Sequence, residues 1–117
     1  LAAGGVLLTQ AYASSPVCSP TRVALITGRY PQRLAVGLAE PIRTPQLDPV
    51  GLPPRLGLLP QMMKAAGYST ALVGKWHLGF PPAFGPLQSG YERFYGALSG
   101  GVDYWTHADS RGVHDLW

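Results

Sequence analysis

Four side chains in this sequence have the types and spacing to handle an oxyanion: Cys18, Arg22, Lys75 and His77. Cys18 opens the stretch Cys18-Ser19-Pro20-Thr21-Arg22 and precedes the apolar run Val23–Ile26. A helix start exposes unpaired N–H groups and the positive end of the peptide dipole, and both favour an anion. One reading of Cys18 is a nucleophile activated by the helix terminus. Arg22 lies about one turn further on, so its guanidinium can face the same spot and offer a fork of donors to a tetrahedral oxyanion. Arg29 could approach that face near the helix end. The competing reading of Cys18 is a small buried hydrophobe.

Lys75 and His77 stand in Val73-Gly74-Lys75-Trp76-His77-Leu78-Gly79. In an extended segment residues two apart point the same way. A cation and an imidazole at the C-terminal end of a strand form an anion site in an α/β fold, and histidine can protonate a leaving oxygen. The competing readings are a solvated lysine and a hydrogen-bonded structural histidine.

The elements that must position these groups follow from pattern. Val6 to Tyr12 is a short apolar run after two glycines and predicts a buried strand, broken by Ser14, Ser15 and Pro16. Ser19 as N-cap and Pro20 at the first helical position begin a helix that Gly28 stops. Residues 32–55 hold prolines at 41, 45, 49, 53 and 54 and read as a long loop, which suggests a functional surface or partial order. Leu58 to Ala66 predicts a second helix with Leu59, Met62 and Met63 on one face and Gly67 as its stop. Ser69 to Val73 predicts a second buried strand, so Leu58–Val73 is an α/β alternation.

Composition narrows the classes. At 117 residues the chain holds one domain at most, and 15 glycines with 12 prolines and only 13% charged residues exclude a coiled coil and a charge-rich disordered tail. A lone cysteine excludes an internal disulfide framework. The net charge of +3 comes from scattered residues and predicts no nucleic-acid partner. No apolar run reaches the roughly 18 residues of a membrane span. The chain begins at Leu1 and ends at Trp117 without leader or polar tail, which is the expectation for a piece of a longer protein.

Cys18-x-Pro20-x-Arg22 followed by Leu25-x-Thr27-Gly28-Arg29 resembles the sulfatase signature, with Thr21 and Ile26 as mild departures from the commonest residues. Gly67-Tyr68-x-Thr70-x3-Gly74-Lys75-Trp76-His77-Leu78-Gly79 resembles the second signature of the same family. Resemblance is strong over Gly5–Tyr30 and Leu58–Gly79 and weaker over Gly90–His107, where Asp103-Tyr104-Trp105-Thr106-His107 is similar to the family's stretch near the active-site mouth.

The resemblance implies a great deal. The fold would be α/β, part of an alkaline-phosphatase-like sandwich of helices packed on a mostly parallel sheet, with residues 1–117 forming a partial catalytic domain. The activity would be sulfate-ester hydrolysis, arylsulfatase-like, on a small sulfate ester or a sulfated sugar. Cys18 would be oxidised to formylglycine by the formylglycine-generating enzyme. Arg22 would stabilise the aldehyde hydrate, Lys75 would hold the hydrate and a sulfate oxygen, and His77 would bind the sulfate or the ester oxygen. Thr106 and His107 would be substrate contacts. Calcium would be the cofactor; only Cys18, as formylglycine, could ligate it here, because the family's Asp pair upstream and Asp-Asn pair downstream have no counterpart in the sequence. A periplasmic, secreted or lysosomal location is implied too. Two alternatives stay open: a phosphoric or phosphonate ester hydrolase of the same superfamily, and a non-catalytic anion-binding piece whose Cys18 stays a thiol. Tyr95, Tyr104 and Trp105 either stack on an aryl or sugar group or pack a loop-rich edge, and Asp109, His114 and Asp115 read as solvated, without metal spacing.

Overall fold

The computed structural model describes residues 1–39, 41–43 and 50–117. Pro45 and Pro49, within the long loop expected from sequence, lie outside the described residues.

Helix α1 spans Cys18–Thr27 and stops at Gly28, whose φ of 65° is left-handed backbone that glycine adopts without cost. The helix begins two residues earlier than the sequence suggests, at Cys18 and not at Pro20. Its N-cap is Val17, in extended backbone. The turn before it is held by Ser15, whose Oγ accepts the Val17 N–H at 3.2 Å and whose carbonyl accepts the Thr21 hydroxyl. Ser19 is therefore not the cap. It is fully buried, and its Oγ accepts the Ile42 N–H at 3.2 Å. The consequence is that Cys18 is the first residue of the helix.

Helix α2 spans Leu59–Ala65, with the Gln61 side-chain carbonyl accepting the Leu58 N–H at 3.0 Å. Its expected apolar face looks outward: Leu59, Met62 and Met63 are exposed, while Leu58 and Pro60 are buried at the helix entry. Strands β1 (Ala71–Val73) and β2 (Arg93–Tyr95) pair in parallel, in the register Ala71↔Arg93, Leu72↔Phe94, Val73↔Tyr95. β1 is shorter than the run from Ser69 and is not the buried strand expected, since only Leu72 is partly covered. β2 carried no strand signal strong enough to read among the glycines and aromatics around it.

The run Val6–Tyr12 forms no strand. Val6, Leu7, Leu8 and Tyr12 are all exposed. A strand exists only through ladder partners, and no described residue pairs with this run. The described part of the long loop, by contrast, is built into the fold. It contains 3-10 turns at Pro31–Arg33 and Ala35–Leu38, and it sends Val36, Ile42 and Leu52 into the core.

That core joins Val23 and Ile26 of α1 to Leu58, Trp76, Leu78 and Leu98. Trp76 meets Tyr91 edge-on at 6.3 Å, and its indole N–H donates to the Phe84 carbonyl at 2.8 Å. The apolar burial is thus built mostly from loop residues around one helix, and it fixes the segment that carries Lys75 and His77.

Candidate active site

The strand pairing does not end with β1. Gly74 N–H donates to Tyr95 O at 2.9 Å, Trp76 N–H to Ala97 O at 2.8 Å, and His77 N–H to Leu98 O at 3.0 Å. Residues 74–77 are therefore laid along 95–98, which fixes where Lys75 and His77 emerge.

They do not emerge as an extended pair. Gly74 has φ 117° and His77 φ 53°, so the alternation that would align the two side chains breaks. Lys75 reaches out, its Nζ donating to the Gly100 carbonyl at 2.6 Å. His77 reaches in: it is 3% exposed, with Nε2 3.0 Å from the Ile42 carbonyl. A carbonyl only accepts, so Nε2 carries the hydrogen and Nδ1 is a bare acceptor. Nδ1 is buried with no hydrogen-bond partner. Left-handed backbone at a non-glycine residue is uncommon and costs free energy, and here it delivers an imidazole with one nitrogen unspent. Burial, then the charge of Lys75, then that of Arg22 hold His77 below the usual histidine range, against a smaller raising effect of the Ile42 carbonyl that outranks only Arg22. The imidazole is neutral at neutral pH.

Arg22, half-buried on α1, donates from Nη1 to the Lys75 carbonyl at 2.6 Å. One hydrogen bond thereby joins the helix that starts at Cys18 to the loop of Lys75 and His77. Arg22 and Lys75 also line one crevice of about 80 Å³, with Trp76 and Tyr91. Cys18 is a free, exposed thiol at the first position of α1, one turn from Arg22, so it is not the buried hydrophobe of the competing reading. Arg29 belongs elsewhere. It is exposed and lines a separate cavity with Gly28, Tyr30 and Arg33, beyond the far end of α1.

Lys75 and His107 share a cavity of about 570 Å³ with Gly100, Tyr104 and Leu116. His107 has φ 54°, and its ring meets that of His114 edge-on at 6.2 Å. Thr106 is exposed and its hydroxyl is held at 3.0 Å by Asp103 Oδ1. Tyr104 and Trp105 stand out in solvent, 88% and 92% exposed.

Two residues read as solvated are otherwise. Asp109 is paired with Arg111 at 2.5 Å. Asp115 is buried, and its carboxylate accepts three N–H groups: from Leu98 at 3.1 Å, from Ser99 at 2.7 Å and from the Trp117 indole at 3.0 Å. Sequence reasoning missed the Leu98–Gly100 loop and its carboxylate anchor. Only the contact of Asp115 with Trp117 is local enough to have been suspected from spacing.

Calcium needs six to eight oxygen ligands. Among the described residues no three His, Cys, Asp or Glu side chains stand together to hold a metal, and the groups around Cys18 and Lys75 are cationic. These residues suit an anion and do not form a calcium site. Among them, too, no helix is long and apolar enough to cross a membrane.

Fold and site together describe an α/β protein in which Arg22 and Lys75 share one crevice, His77 lies buried beside the same loop, and Cys18 is exposed at the start of the Arg22 helix. The model of the Sulfatase family matches residues 1–116, and the chain belongs to that family. It is 45% identical over 101 residues to N-acetylgalactosamine-6-sulfatase of Sus scrofa, covering 83% of this chain and 19% of that protein. It is 44% identical to arylsulfatase J of Mus musculus, over 100% of this chain and 20% of the relative, and 44% identical to human steryl-sulfatase, over 82% and 18%. The chain thus spans about a fifth of the length of these curated relatives. Among solved structures, the crystal structure of Ps i-CgsB matches with a TM-score of 0.68 and 33% identity, covering 81% of this chain and 20% of that one. Its complex with k-i-k-neocarrahexaose matches with a TM-score of 0.69 and 31% identity, covering 86% and 22%. At this likeness the α/β sulfatase-type fold of the chain is established.

Proposed function

We propose that this chain is the nucleophile-bearing part of a sulfatase catalytic domain that hydrolyses sulfate esters, with Cys18, Arg22, Lys75 and His77 as its site residues. The observation that carries the reading is the Arg22–Lys75 hydrogen bond of 2.6 Å, which ties the helix of Cys18 to the loop of Lys75 and His77.

Each residue then has a task. Arg22, held by the Lys75 carbonyl through Nη1, has donors left over to offer an oxyanion, and the N-terminus of its helix would add free N–H groups and the dipole. The Lys75 ammonium, with two hydrogens beyond the one given to Gly100, offsets negative charge that develops on the sulfuryl oxygens. His77 keeps its hydrogen on Nε2 for the Ile42 carbonyl and has only the acceptor Nδ1 left, so in this form it does not donate to a sulfate or ester oxygen as the resemblance implied; it would do so only on gaining a proton. Formylglycine at position 18 would supply a hydrated aldehyde, one hydroxyl to attack sulfur and a second whose deprotonation releases sulfate. The exposed position of Cys18 fits access by the formylglycine-generating enzyme.

His107, on the Lys75 cavity, is the better placed of the two expected substrate contacts; Thr106 turns its hydroxyl to Asp103. A sulfated sugar or a small aryl ester would fill that cavity, with Tyr104 beside it. The names of the relatives, which include an N-acetylgalactosamine-6-sulfatase and a steryl-sulfatase, support sulfate esters as the class. Calcium would be bound by residues beyond those described. We place the protein in an exported compartment, as the family resemblance implies.

The test uses the catalytic domain that carries this chain, produced with the formylglycine-generating enzyme. Intact mass is expected to fall by about 18 Da at Cys18 as the thiol becomes an aldehyde, and nitrophenyl sulfate is expected to be cleaved in preference to nitrophenyl phosphate. Preference for the phosphate would replace the reading by phosphoric ester hydrolysis. An unshifted mass with neither ester cleaved would leave an anion-binding protein.

A further inference from the structure

The buried carboxylate of Asp115 has no part in the chemistry proposed above, yet it is connected to it in two steps. Its two oxygens grip consecutive backbone amides: Oδ1 accepts from Leu98 at 3.1 Å and Oδ2 from Ser99 at 2.7 Å. The Trp117 indole N–H, at 3.0 Å from Oδ1, holds the carboxylate from the other side. The Asp115 N–H in turn donates to the His107 carbonyl at 2.7 Å, which closes the 107–115 segment that carries this carboxylate. A carboxylate with three N–H donors in a buried setting is a strong, geometrically exacting anchor.

What it anchors is the residue pair next to the site. The Leu98 carbonyl accepts the His77 N–H at 3.0 Å. Gly100, immediately after Ser99, accepts the Lys75 ammonium on its carbonyl at 2.6 Å. It also lies flat on the imidazole: a Cβ there would fall 2.8 Å from His77 Cε1. The loop 98–100 is thus the common seat of the Lys75 ammonium and the His77 ring, and Asp115 is the side chain that sets its backbone.

We infer that Asp115 is a positioning residue for Lys75 and His77, acting through the Leu98–Gly100 backbone and touching neither substrate nor the reacting atoms. The inference rests on the sulfatase reading for its kinetic consequence, and on geometry alone for its structural one.

The experiment therefore has two arms. In the first, the ring nitrogens of His77 and the ammonium of Lys75 are followed by NMR in the catalytic domain that carries this chain, with Asp115→Asn compared with Ser89→Ala. The Ser89 hydroxyl makes a comparable buried bond, to the Gly85 carbonyl at 3.1 Å. Asp115→Asn sets an amide group against one of the N–H donors, and is expected to move both signals, while Ser89→Ala leaves them in place. Unmoved His77 and Lys75 signals in Asp115→Asn overturn the inference whatever the protein hydrolyses. In the second arm, nitrophenyl sulfate turnover by the catalytic domain is measured below the melting temperature of each variant. A displacement of the order of 1 Å costs about a hundredfold, so kcat for Asp115→Asn is expected to fall by up to about that factor with KM changing far less. Ser89→Ala is expected to keep its kcat. A loss of melting temperature with kcat intact makes Asp115 structural only and overturns the inference. If Asp115→Asn does not fold, Trp117→Phe removes one of the three donors and keeps the carboxylate; it is expected to lower kcat in the same direction by less, and an unchanged kcat there overturns the inference. Absence of any turnover by the unaltered domain defeats the sulfatase reading and leaves the NMR arm to decide on Asp115.

Discussion

Arg22 and Lys75 stand 53 positions apart, yet the guanidinium of one donates to the backbone carbonyl of the other at 2.6 Å. A backbone acceptor is chosen here in place of an acidic side chain, so both cations keep their full charge toward the site. Among the described residues no carboxylate forms an ion pair with either cation, an arrangement that suits an anion.

That bond predicts a stability effect. Arg22→Ala leaves the Lys75 carbonyl without its donor and is expected to cost about 1.5–3 kcal/mol, the range for hydrogen bonds to charged groups. Arg22→Lys keeps the charge, but its single flexible ammonium cannot reproduce the fixed fork, and it is expected to recover only part of the loss. Urea denaturation of both variants checks this, and a midpoint equal to that of the unaltered chain would show the bond to be idle.

His77 predicts a pH dependence with a definite sign. Its imidazole is held below the ordinary value of 6.5, chiefly by burial and then by the Lys75 charge. Near and below pH 6.5 the unfolded chain takes up a proton that the folded protein resists, so stability rises with pH across that window. Stability is expected to be full above the unfolded value, to decline as pH falls toward the folded one, and to level off below it as far as this group is concerned. Thermal melting between about pH 7 and pH 5 reads the slope. His77→Gln is expected to flatten it, and an unaltered slope in that variant would remove His77 as its source.

Gly100 predicts a packing effect. Its missing side chain makes room for the His77 ring, since a Cβ would stand 2.8 Å from Cε1 and 3.0 Å from Nε2. The ring is enclosed and cannot swing away, so Gly100→Ala is expected to cost about 1–3 kcal/mol as an overpacked site. The His77 ring signals should shift with it. Gly101, where a Cβ meets open space, serves as the comparison: Gly101→Ala is expected to be far milder.

Lys75 and Cys18 predict kinetic effects, on the sulfatase reading. Lys75→Ala in the catalytic domain is expected to lose about 2–4 kcal/mol of transition-state stabilisation, the scale of one charge-stabilising donor. Cys18→Ala is expected to abolish turnover and leave the melting temperature nearly unchanged, because the side chain is exposed. Wild-type rates on nitrophenyl sulfate in either variant would take that residue out of the mechanism.

How much of this was legible in the residues depends on the range of the interaction. The helix after Cys18, the glycine stop at position 28, the second helix near Leu59 and the strand ending at Val73 are local patterns, and the structure has each of them within one or two residues. So are the two signature stretches, whose resemblance to the family lies in neighbouring residues alone. The strand expected at Val6 to Tyr12 fails for the opposite reason: its residues have the right composition, but strand formation depends on a partner that composition does not supply.

What the sequence by itself determined is which chemical groups are present and their neighbours along the chain: a cysteine one turn ahead of an arginine, and a lysine two places before a histidine. Tertiary structure alone decided that Arg22 bonds the Lys75 backbone, that His77 turns inward to Ile42 while Lys75 turns outward to Gly100, and that Asp115 is buried behind the loop between them. Spacing constrains contacts only within a turn or two. Beyond that, the partners of a side chain are selected by which segments the core of Val23, Leu58, Trp76 and Leu98 draws together.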